Sequence, residues 1–334
     1  MAVVNPTLPQ SGIPNADTTV AEKRKKPLLR QIYENRWSYL FILPWLILTA
    51  LFGWYPLPAS IQVSFYNWKG FGTPDQYVGI RHFVTVLTDP FFWKAVKNAV
   101  QYTAVLVLIQ LILALTLVLV LNNPRLRFGN VFRAAFFIPA VCSTVVLAVP
   151  VRSMISMANR FIPAFFVDNG WFNPSLGFLQ DPKLALWVII VFGIWQSFGY
   201  NLVFFLAALQ SVPQELYEAA TVDGAGFWTK FWHITIPLIK PVGTIIVILA
   251  VLGSMRVFDS VLALTNGGPY YASEVPTTYI YHFAFSPMPG SGSANLGYAS
   301  ASSMVYSFLL LGLTAMQIVG INRARARRRE LGLS

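Results

Sequence analysis

The chain has 334 residues, of which 55% are hydrophobic and only 11% are charged, whereas a soluble globular domain carries roughly 25% charged residues. The formal net charge of +11 does not indicate a nucleic-acid-binding protein, because the basic residues stand at the ends of apolar runs and form no soluble basic module. Composition therefore predicts an integral membrane protein, and the single cysteine, Cys142, excludes an intramolecular disulfide and argues against a metal cluster.

The N-terminal part of the chain precedes the first apolar run. Residues 1–36 are polar and basic and lack the apolar core of a cleavable signal peptide, so we predict a disordered cytoplasmic tail. A bilayer core about 30 Å thick requires roughly 20 apolar residues per spanning helix. The first uncharged interval of that length predicts a span over residues 37–59, which begins at the aromatic residue Trp37 and contains Pro44.

Five further apolar runs follow. They predict spans over about residues 92–121, 130–154, 184–210, 237–264 and 296–321. The fifth span is the least regular, because it contains Arg256 and Asp259 in its interior. A basic cytoplasmic tail is predicted over residues 323–334. The sequence thus predicts an all-α integral membrane protein with about six transmembrane helices in one domain, residues 37–322.

Lysine and arginine residues are distributed unevenly between the two sides of these spans. If the N-terminus is inside, 16 of the 24 fall in tails and loops on the cytoplasmic side. Because such residues accumulate in short cytoplasmic loops, we predict that both termini face the cytoplasm. The even number of spans agrees with this orientation.

The loop after the fourth predicted span carries the most informative motif. Residues 213–237 read PQELYEAATVDGAGFWTKFWHITIP. Pro213 is suited to open a short helix, and Glu215 and Glu218 complement the positive end of its dipole. The small residues Ala219 and Ala220 would let this helix approach another protein closely.

A glycine turn divides the loop into two segments. Gly224 and Gly226 permit a sharp change of direction, because glycine adopts backbone conformations that other residues avoid. The second segment contains four large aromatic residues: Phe227, Trp228, Phe231 and Trp232. A segment this apolar is expected at the membrane surface only if it covers membrane helices or a partner protein.

Six residues of this loop stand at the spacing of a known motif: Glu218, Ala219, Ala220, Gly224, Ile234 and Pro237. They resemble the EAA loop of ABC import permeases, which is Glu-Ala-Ala, three residues, Gly, nine residues, Ile, one residue, Leu, Pro; here Ile236 replaces the usual leucine. The runs LAALQSVP, LTNGGP and YHFAF, which end at residues 213, 269 and 285, are similar to the MalF-like carbohydrate branch of that family. The resemblance extends over about residues 37–321.

The resemblance implies a type I ABC importer permease fold in the plasma (inner) membrane of a prokaryote, and it favours a heterodimer with a second, similar permease. Other implied partners are two ABC ATPase subunits, an extracytoplasmic binding protein and the cargo: a sugar, an oligosaccharide or a related polyol or uronate. The ATPase would use ATP and Mg, so this chain is expected to bind no cofactor or metal and to hold no catalytic residue. The residues implied in ATPase coupling are Glu218, Ala219, Ala220, Asp223 and Gly224. Glu218 would face a basic group of the ATPase, and Gly224 would set the angle of the loop.

Related permeases hold their substrate against the spans that flank this loop. Candidates for the substrate path are therefore the polar and aromatic residues there: Trp195, Gln196, Tyr200, Asn201, Gly253, Arg256 and Asp259. Arg256 and Asp259, spaced i and i+3, either neutralise each other on one helical face, lie at the membrane interface, or leave Arg256 to donate hydrogen bonds to cargo. Trp195 and Tyr200 either stack on a sugar ring or serve as packing residues or interface anchors. The amides of Gln196 and Asn201 need hydrogen-bond partners when buried.

Two other function classes are alternatives. An ion-coupled secondary transporter of a small polar solute commonly uses intramembrane carboxylates and repeated halves, but Asp259 is the one clear carboxylate within a predicted span, and no repeat is evident. A membrane-bound enzyme would need a catalytic cluster, whereas His82, His233 and His282 stand far apart in sequence. The chain also has no phosphate-binding loop, so ATP hydrolysis would have to come from another subunit.

Overall fold

The computed structural model describes residues 36–74, 76–121, 128–158, 177–287 and 293–330. Across these ranges the chain is helical, with an isolated β-bridge between Tyr66 and Tyr77 and no β-strand. The all-α prediction is therefore confirmed. The predicted disordered tail lies outside the described residues except for Arg36, and so do residues 331–334 at the end of the predicted basic tail.

The chain divides into two compact units at Leu57. In the first unit, helix α1 (Arg36–Thr49) contains Pro44 and continues into a π-helical segment, Ala50–Trp54. Helix α2 (Pro56–Val63) follows, and all but its first two residues belong to the second unit. The helical stretch from residue 36 to residue 63 is 28 residues long and apolar enough to cross a membrane.

The second unit contains the other helices. In chain order these are α3 (Arg81–Thr88), α4 (Pro90–Leu121), α5 (Gly129–Val141), α6 (Thr144–Ala158), α7 (Ala185–Gln210), α8 (Gln214–Val222), α9 (Phe227–Lys230), α10 (Ile236–Met255), α11 (Asp259–Leu264), α12 (Pro276–Ala284) and α13 (Leu296–Glu330). A π-helical segment, Phe231–Thr235, joins α9 to α10.

Five helical stretches of the described chain are long and apolar enough to cross a membrane, and one bent pair supplies a sixth if it counts as one span. The five are Arg36–Val63, Pro90–Leu121, Ala185–Gln210, Phe227–Met255 and Leu296–Arg323. The pair is Val131–Val141 and Thr144–Ala158, which are bent by 97°. The prediction of about six transmembrane helices is therefore confirmed.

The third predicted span is sharply bent. Helix α5 ends at Val141, and Cys142 has an extended backbone (φ −76°, ψ 148°) before α6 begins at Thr144. Pro139 lies inside α5, where a proline removes a backbone donor and weakens the last turns. The bend brings the beginning of α6 beside α7, where Thr144 contacts a polar side chain of that helix.

The fifth predicted span is interrupted. Helix α10 ends at Met255, and the amides of Arg256 and Val257 bond to carbonyls three residues earlier, which closes the helix with tight turns. A separate helix, α11, begins at Asp259. The fifth predicted span, about residues 237–264, is therefore not one helix: the long helical stretch ends at Met255, and it begins earlier, at Phe227 within the predicted loop.

Helices α4 and α7 form the centre of the second unit, because they pack along each other and against several other helices. One buried apolar cluster includes Ile189 of α7, and a second includes Leu202 of the same helix. Gly199 lets α5 approach closely, since a Cβ there would lie 2.5 Å from the Phe136 carbonyl oxygen. Half of the most apolar window of α7 is buried (50%), against 6% of that of α13. Helix α13 therefore presents an apolar surface to lipid or to another chain.

Candidate functional site

A cavity of about 350 Å³, which we call the central cavity and whose lining includes several polar side chains, lies between α4, α6, α7, α10 and the start of α11. Six of the seven residues predicted for a substrate path line it: Gln196, Tyr200, Asn201, Gly253, Arg256 and Asp259. The structure therefore brings polar side chains of α7 together with the segment around the end of α10 and the start of α11, on the other side of the loop between the fourth and fifth predicted spans.

Trp195 does not join this cavity, because it lies on another side of α7. It borders a separate apolar groove with Val151 and Trp187, and its ring centroid lies 6.0 Å from that of Phe192. Trp195 is 43% exposed, so it lies apart from the central cavity without being buried in the bundle.

Hydrogen bonds between helices hold the polar lining of the central cavity. The Gln196 amide donates to Thr144 Oγ1 at 2.7 Å, and the Ser197 hydroxyl donates to Gln110 Oε1 at 2.8 Å. Asn201 is only 7% exposed. Its side-chain amide bonds to no side chain or backbone group in the described part of the chain. Gln196 thus has the partner expected of a buried amide, whereas Asn201 has hydrogen-bonding capacity left for a ligand.

The sequence did not point to several polar residues of the lining, among them Gln110, Thr144 and Ser197. A signal for Gln110 was present, because an amide in the long apolar run of residues 104–121 needs a polar neighbour. Thr144 gave no such signal, since its position depends on the bend between α5 and α6.

The two charged residues of the central cavity belong to different helical segments. Arg256 follows the last turn of α10, and Asp259 is the first residue of α11. Of the readings that the sequence left open for this pair, mutual neutralisation on one helical face is not seen, because no salt bridge joins the two residues in the described structure. Each charge instead suits the helix end beside it, a cation at a C-terminus and an anion at an N-terminus. A ligand in this cavity meets both a guanidinium donor and a carboxylate acceptor.

Helix α8 carries the residues predicted for ATPase coupling. Pro213 precedes it with an extended ψ of 128°, and Glu215 lies in its first turn. Glu218 and Asp223 are exposed, as is Ala219, while Ala220 is half-buried. The helix therefore presents an acidic and small-residue surface that a partner can reach.

Gly224 ends α8 through a specific pair of hydrogen bonds. The Ala225 amide donates to the Ala220 carbonyl at 2.8 Å, and the Gly224 amide donates to the Thr221 carbonyl at 3.1 Å. This pattern is the Schellman motif, which requires a left-handed residue at the position of Gly224, whose φ is +78°. A Cβ at Gly224 would meet nothing within 4 Å, so the backbone conformation, and not space, selects glycine here.

Two side-chain contacts attach α8 to the helical segment that follows it. The Tyr217 hydroxyl lies 2.9 Å from Thr235 Oγ1, and the Lys230 ammonium group donates to Thr221 Oγ1 at 2.6 Å. Thr235 is buried, and Tyr217 also packs against the apolar cluster of α4, α7 and α10. Helix α8 is thus joined both to α7, through the chain and this cluster, and to α10.

The aromatic segment after the glycine turn is only partly covered. Phe231 is 9% exposed, whereas Phe227, Trp228 and Trp232 are between 59% and 68% exposed. Of the four rings, Phe231 packs inside the chain, which is one of the two arrangements that the sequence left open for this segment. The three other rings remain available to lipid or to a partner protein.

A buried polar network lies near the N-terminal end of α4, away from α8. Glu274 Oε1 lies 3.1 Å from His282 Nδ1, and His282 Nε2 lies 3.2 Å from Asn266 Oδ1. The Asn98 amide donates to the carbonyls of Ala272 and Glu274 at 3.0 and 2.8 Å. Glu274 is fully buried and His282 is 2% exposed. The network fixes the turn in the LTNGGP run, where Asn266 has a left-handed φ of 52°.

A second polar cluster joins α4 to α12 and α13. Asp89 Oδ2 accepts hydrogen bonds from the hydroxyls of Tyr279 and Tyr298 at 2.5 and 2.9 Å. Burial raises the pKa of Tyr279, and the Asp89 carboxylate raises it further. Burial lowers the pKa of His82 on α3, although a hydrogen bond with the Tyr66 carbonyl opposes that shift.

Comparison with protein families matches most of the chain to one family. The model described as "Binding-protein-dependent transport system inner membrane component" covers residues 27–328. The lactose transport system permease protein LacF of Rhizobium radiobacter is 34% identical over 292 residues, which are 86% of this chain and 95% of LacF. The trehalose/maltose transport system permease protein MalF of Thermococcus litoralis is 33% identical over 300 residues, 88% of this chain and 96% of that protein.

Other relatives widen the range of described cargo. The sn-glycerol-3-phosphate transport system permease protein UgpA of Shigella flexneri is 29% identical over 86% of this chain and 95% of that protein. A chain from the crystal structure of a bacterial ABC transporter involved in the import of the acidic polysaccharide alginate superposes with a TM-score of 0.72 and 24% identity, over 89% of this chain and 98% of that chain. This structural likeness supports the helical arrangement described above.

Proposed function

The chain belongs to the family of binding-protein-dependent transport system inner membrane components, and from this membership we propose that it is the permease subunit of an ATP-driven importer whose cargo is a carbohydrate. The observation that carries the proposal is the convergence of amide, hydroxyl and charged side chains on one cavity inside an apolar bundle. Polar groups in apolar surroundings are costly unless they have partners, and a polyhydroxylated cargo supplies such partners.

The chemistry of the central cavity fits a sugar. The free amide of Asn201 and the guanidinium of Arg256 donate hydrogen bonds, while the carboxylate of Asp259 accepts them, and sugar hydroxyls do both. Tyr200 adds an aromatic ring to the same lining. The volume of about 350 Å³ lies within the range of about 300–1,000 Å³ typical of small-molecule sites.

The charges favour a neutral cargo. The central cavity contains one cationic residue, Arg256, and one anionic residue, Asp259, so its formal net charge is zero. An acidic sugar would gain from Arg256 but would be repelled by Asp259. Among the cargo types described for relatives, neutral disaccharides such as lactose, maltose and trehalose therefore fit better than a phosphate ester or an acidic polysaccharide.

The proposed assembly places α8 in the cytoplasm, in agreement with the excess of basic residues on that side. Two ABC ATPase subunits would bind ATP and Mg, and one of them would receive α8 through Glu218, Ala219 and Ala220. A second, similar permease would cover part of the exposed apolar surface, and an extracytoplasmic binding protein would deliver cargo at the other side. This chain would hold neither nucleotide nor metal.

The proposed coupling follows the contacts between α8 and α10. The helical stretch that starts beside α8 runs from Phe227 to Met255, about 43 Å at 1.5 Å per residue. Its far end lines the central cavity around Gly253. A displacement of α8 by the ATPase would therefore move this end through the Tyr217–Thr235 contact and the shared apolar cluster.

The test is transport by the assembled complex when the cavity is filled. Gly253→Trp places a large ring in open space that the cavity supplies, since a Cβ at Gly253 meets nothing within 4 Å. Gly312→Trp is the matched control, because Gly312 on α13 is equally open and lies outside the cavity. We expect Gly253→Trp to abolish uptake of lactose, maltose or trehalose in a complex that still assembles, while Gly312→Trp retains uptake. Normal uptake in Gly253→Trp would contradict the proposal.

A further inference from the structure

A second polar cavity, of about 440 Å³, lies beyond the central cavity. We call it the distal cavity. Its hydrogen-bonding side chains come from the second half of α6, from the turns before α7 and from the residue after α11: Arg152, Ser153, Ser156, Gln180 and Thr265. None of these residues lines the central cavity.

The same two helices line both cavities. Helices α6 and α11 pack against each other. Thr144 at the start of α6 and Asp259 at the start of α11 line the central cavity, whereas Ser156 and Thr265, near their ends, line the distal one. The helices therefore run in the same direction from one cavity to the other. The rise from Thr144 to Arg152 is about 12 Å along α6.

The side chains of the distal cavity offer both donors and acceptors. The Ser153 and Ser156 hydroxyls donate to backbone carbonyls of α6 at 3.3 and 2.8 Å, which leaves their oxygen lone pairs free to accept. The guanidinium of Arg152 and the amide of Gln180 bond to no group in the described part of the chain, and both residues are exposed.

We propose that the distal cavity is a second carbohydrate-binding site, at which a sugar ring is held on the path to or from the central cavity. This inference rests on the proposed function and extends it. Sugar hydroxyls both donate and accept, so they match a site that combines guanidinium and amide donors with serine and threonine acceptors. The volume of about 440 Å³ again lies within the range of about 300–1,000 Å³ of small-molecule sites.

Cysteine protection tests the two cavities separately in the assembled transporter. In a Cys142→Ser background, Ser156→Cys reports on the distal cavity and Gly253→Cys on the central one. Thr85→Cys on α3 is an exposed position that lines neither cavity. The rate of thiol modification by a charged methanethiosulfonate reagent is measured for each variant with lactose, maltose or trehalose. The sugar that protects the Gly253→Cys variant is the probe for the Ser156→Cys variant.

We expect that sugar to slow thiol modification several-fold in both Gly253→Cys and Ser156→Cys and to leave the rate in Thr85→Cys unchanged. Protection of Gly253→Cys without protection of Ser156→Cys would overturn the distal site and leave the proposed function intact. If no sugar of the panel protects either variant, the carbohydrate cargo and the distal site both fail. Equal slowing in all three variants would mean a general effect on the reagent and would also overturn the distal site.

A charge variant tests whether Arg152 contributes to the binding. Arg152→Gln removes the guanidinium, and Arg81→Gln makes the same change at an exposed position of α3 outside both cavities. Combined with Ser156→Cys, Arg152→Gln should raise the sugar concentration for half-protection of the thiol about tenfold. Combined with Gly253→Cys, it should leave that concentration within about twofold of its original value.

Arg81→Gln should change the half-protection concentration at neither thiol. An unchanged concentration when Arg152→Gln is combined with Ser156→Cys would contradict a sugar contact by the Arg152 side chain.

Discussion

At Gly224 the energetic effect of the backbone angle φ can be separated from that of side-chain packing. Alanine at this position must adopt a left-handed φ at a cost of about 1–2 kcal/mol, although it would meet no neighbouring atom. We therefore expect Gly224→Ala to redirect the end of α8 and to reduce ATP-driven uptake strongly. Gly226→Ala is the control, because Gly226 has an ordinary φ of −72° and is equally open. Uptake assays on both variants check the prediction, and equal activity would contradict it.

Glu274 is a fully buried acid with a buried histidine as its partner. Glu274→Ala would leave the buried imidazole of His282 without this hydrogen-bond partner, and a buried polar group that loses its partner costs about 1–3 kcal/mol. We expect a large fall in the thermal unfolding temperature in detergent. Glu274→Gln should be milder, because an amide can still hydrogen-bond to the imidazole. Glu215→Gln on the exposed first turn of α8 should change stability by no more than about 0.5 kcal/mol.

The lowered pKa of His82 predicts part of the pH dependence of the free energy of unfolding. Burial lowers its pKa below the ordinary value of 6.5, so the unfolded chain takes up the proton at a higher pH than the folded chain. The free energy of unfolding should therefore fall as the pH drops from 6.5 through the lower pKa of the folded state. His82→Gln should make this fall shallower in thermal unfolding series, whereas His233→Gln, at an exposed residue, should not. Parallel curves for His82→Gln and the unmodified chain would contradict the assignment.

At the scale of helices, the contact between α8 and the start of α10 predicts uncoupling. Tyr217→Phe removes the hydroxyl that lies 2.9 Å from the buried Thr235, at a cost of about 1 kcal/mol. We expect ATP hydrolysis to continue while sugar uptake per ATP falls. Tyr77→Phe, at an exposed residue outside the spanning helices, should leave this ratio unchanged. A normal ratio in Tyr217→Phe would show that the shared apolar cluster alone is sufficient.

The long helices could be predicted from the sequence, because an apolar run of bilayer length has few other structures available. Of the short helices, α8 was predicted from Pro213, whereas α3 and α12 were not predicted. Helices α3 and α12 are too short to span a membrane, and hydrogen bonds and aromatic contacts with distant residues, such as that between Tyr279 and Asp89, hold α12 in place. The break after Met255 was hidden as well, because Arg256 and Asp259 have the spacing of neighbours on one helix.

The candidate cavity was predicted for the residues that share one face of α7. Gln196 and Tyr200 are four residues apart and line the same cavity, as their spacing requires. Trp195 repeats instead with Val191 and Trp187, which lie four and eight residues earlier and line the apolar groove. The helical spacing therefore separates the cavity-lining face of α7 from the groove-lining face. The contribution of Thr144 could not be predicted in this way, because it depends on the bend between α5 and α6.

At the scale of the whole molecule, the balance of charge in the central cavity predicts selectivity. Asp259→Asn would leave the cavity with a formal charge of +1, and we expect the ratio of galacturonate to lactose uptake to rise about tenfold. The double variant Arg256→Gln with Asp259→Asn should return the ratio close to its original value, since the cavity is neutral again. Competition between the two labelled sugars measures the ratio. No change in Asp259→Asn would mean that this carboxylate does not face the cargo.

Residues 256–258 separate α10 from α11, and side chains of α12 and α13 stabilise this break. The Tyr306 hydroxyl on α13 donates to the Met255 carbonyl at 2.5 Å, and the Thr277 hydroxyl on α12 donates to the Val257 carbonyl. These two hydroxyls, from α12 and α13, thus stabilise the break between α10 and α11. An isolated peptide of residues 245–265 would lack these two hydrogen bonds, so we expect its helix to continue across the break. The shape of the central cavity therefore depends on several helices together, and any cargo that enters must fit that shape.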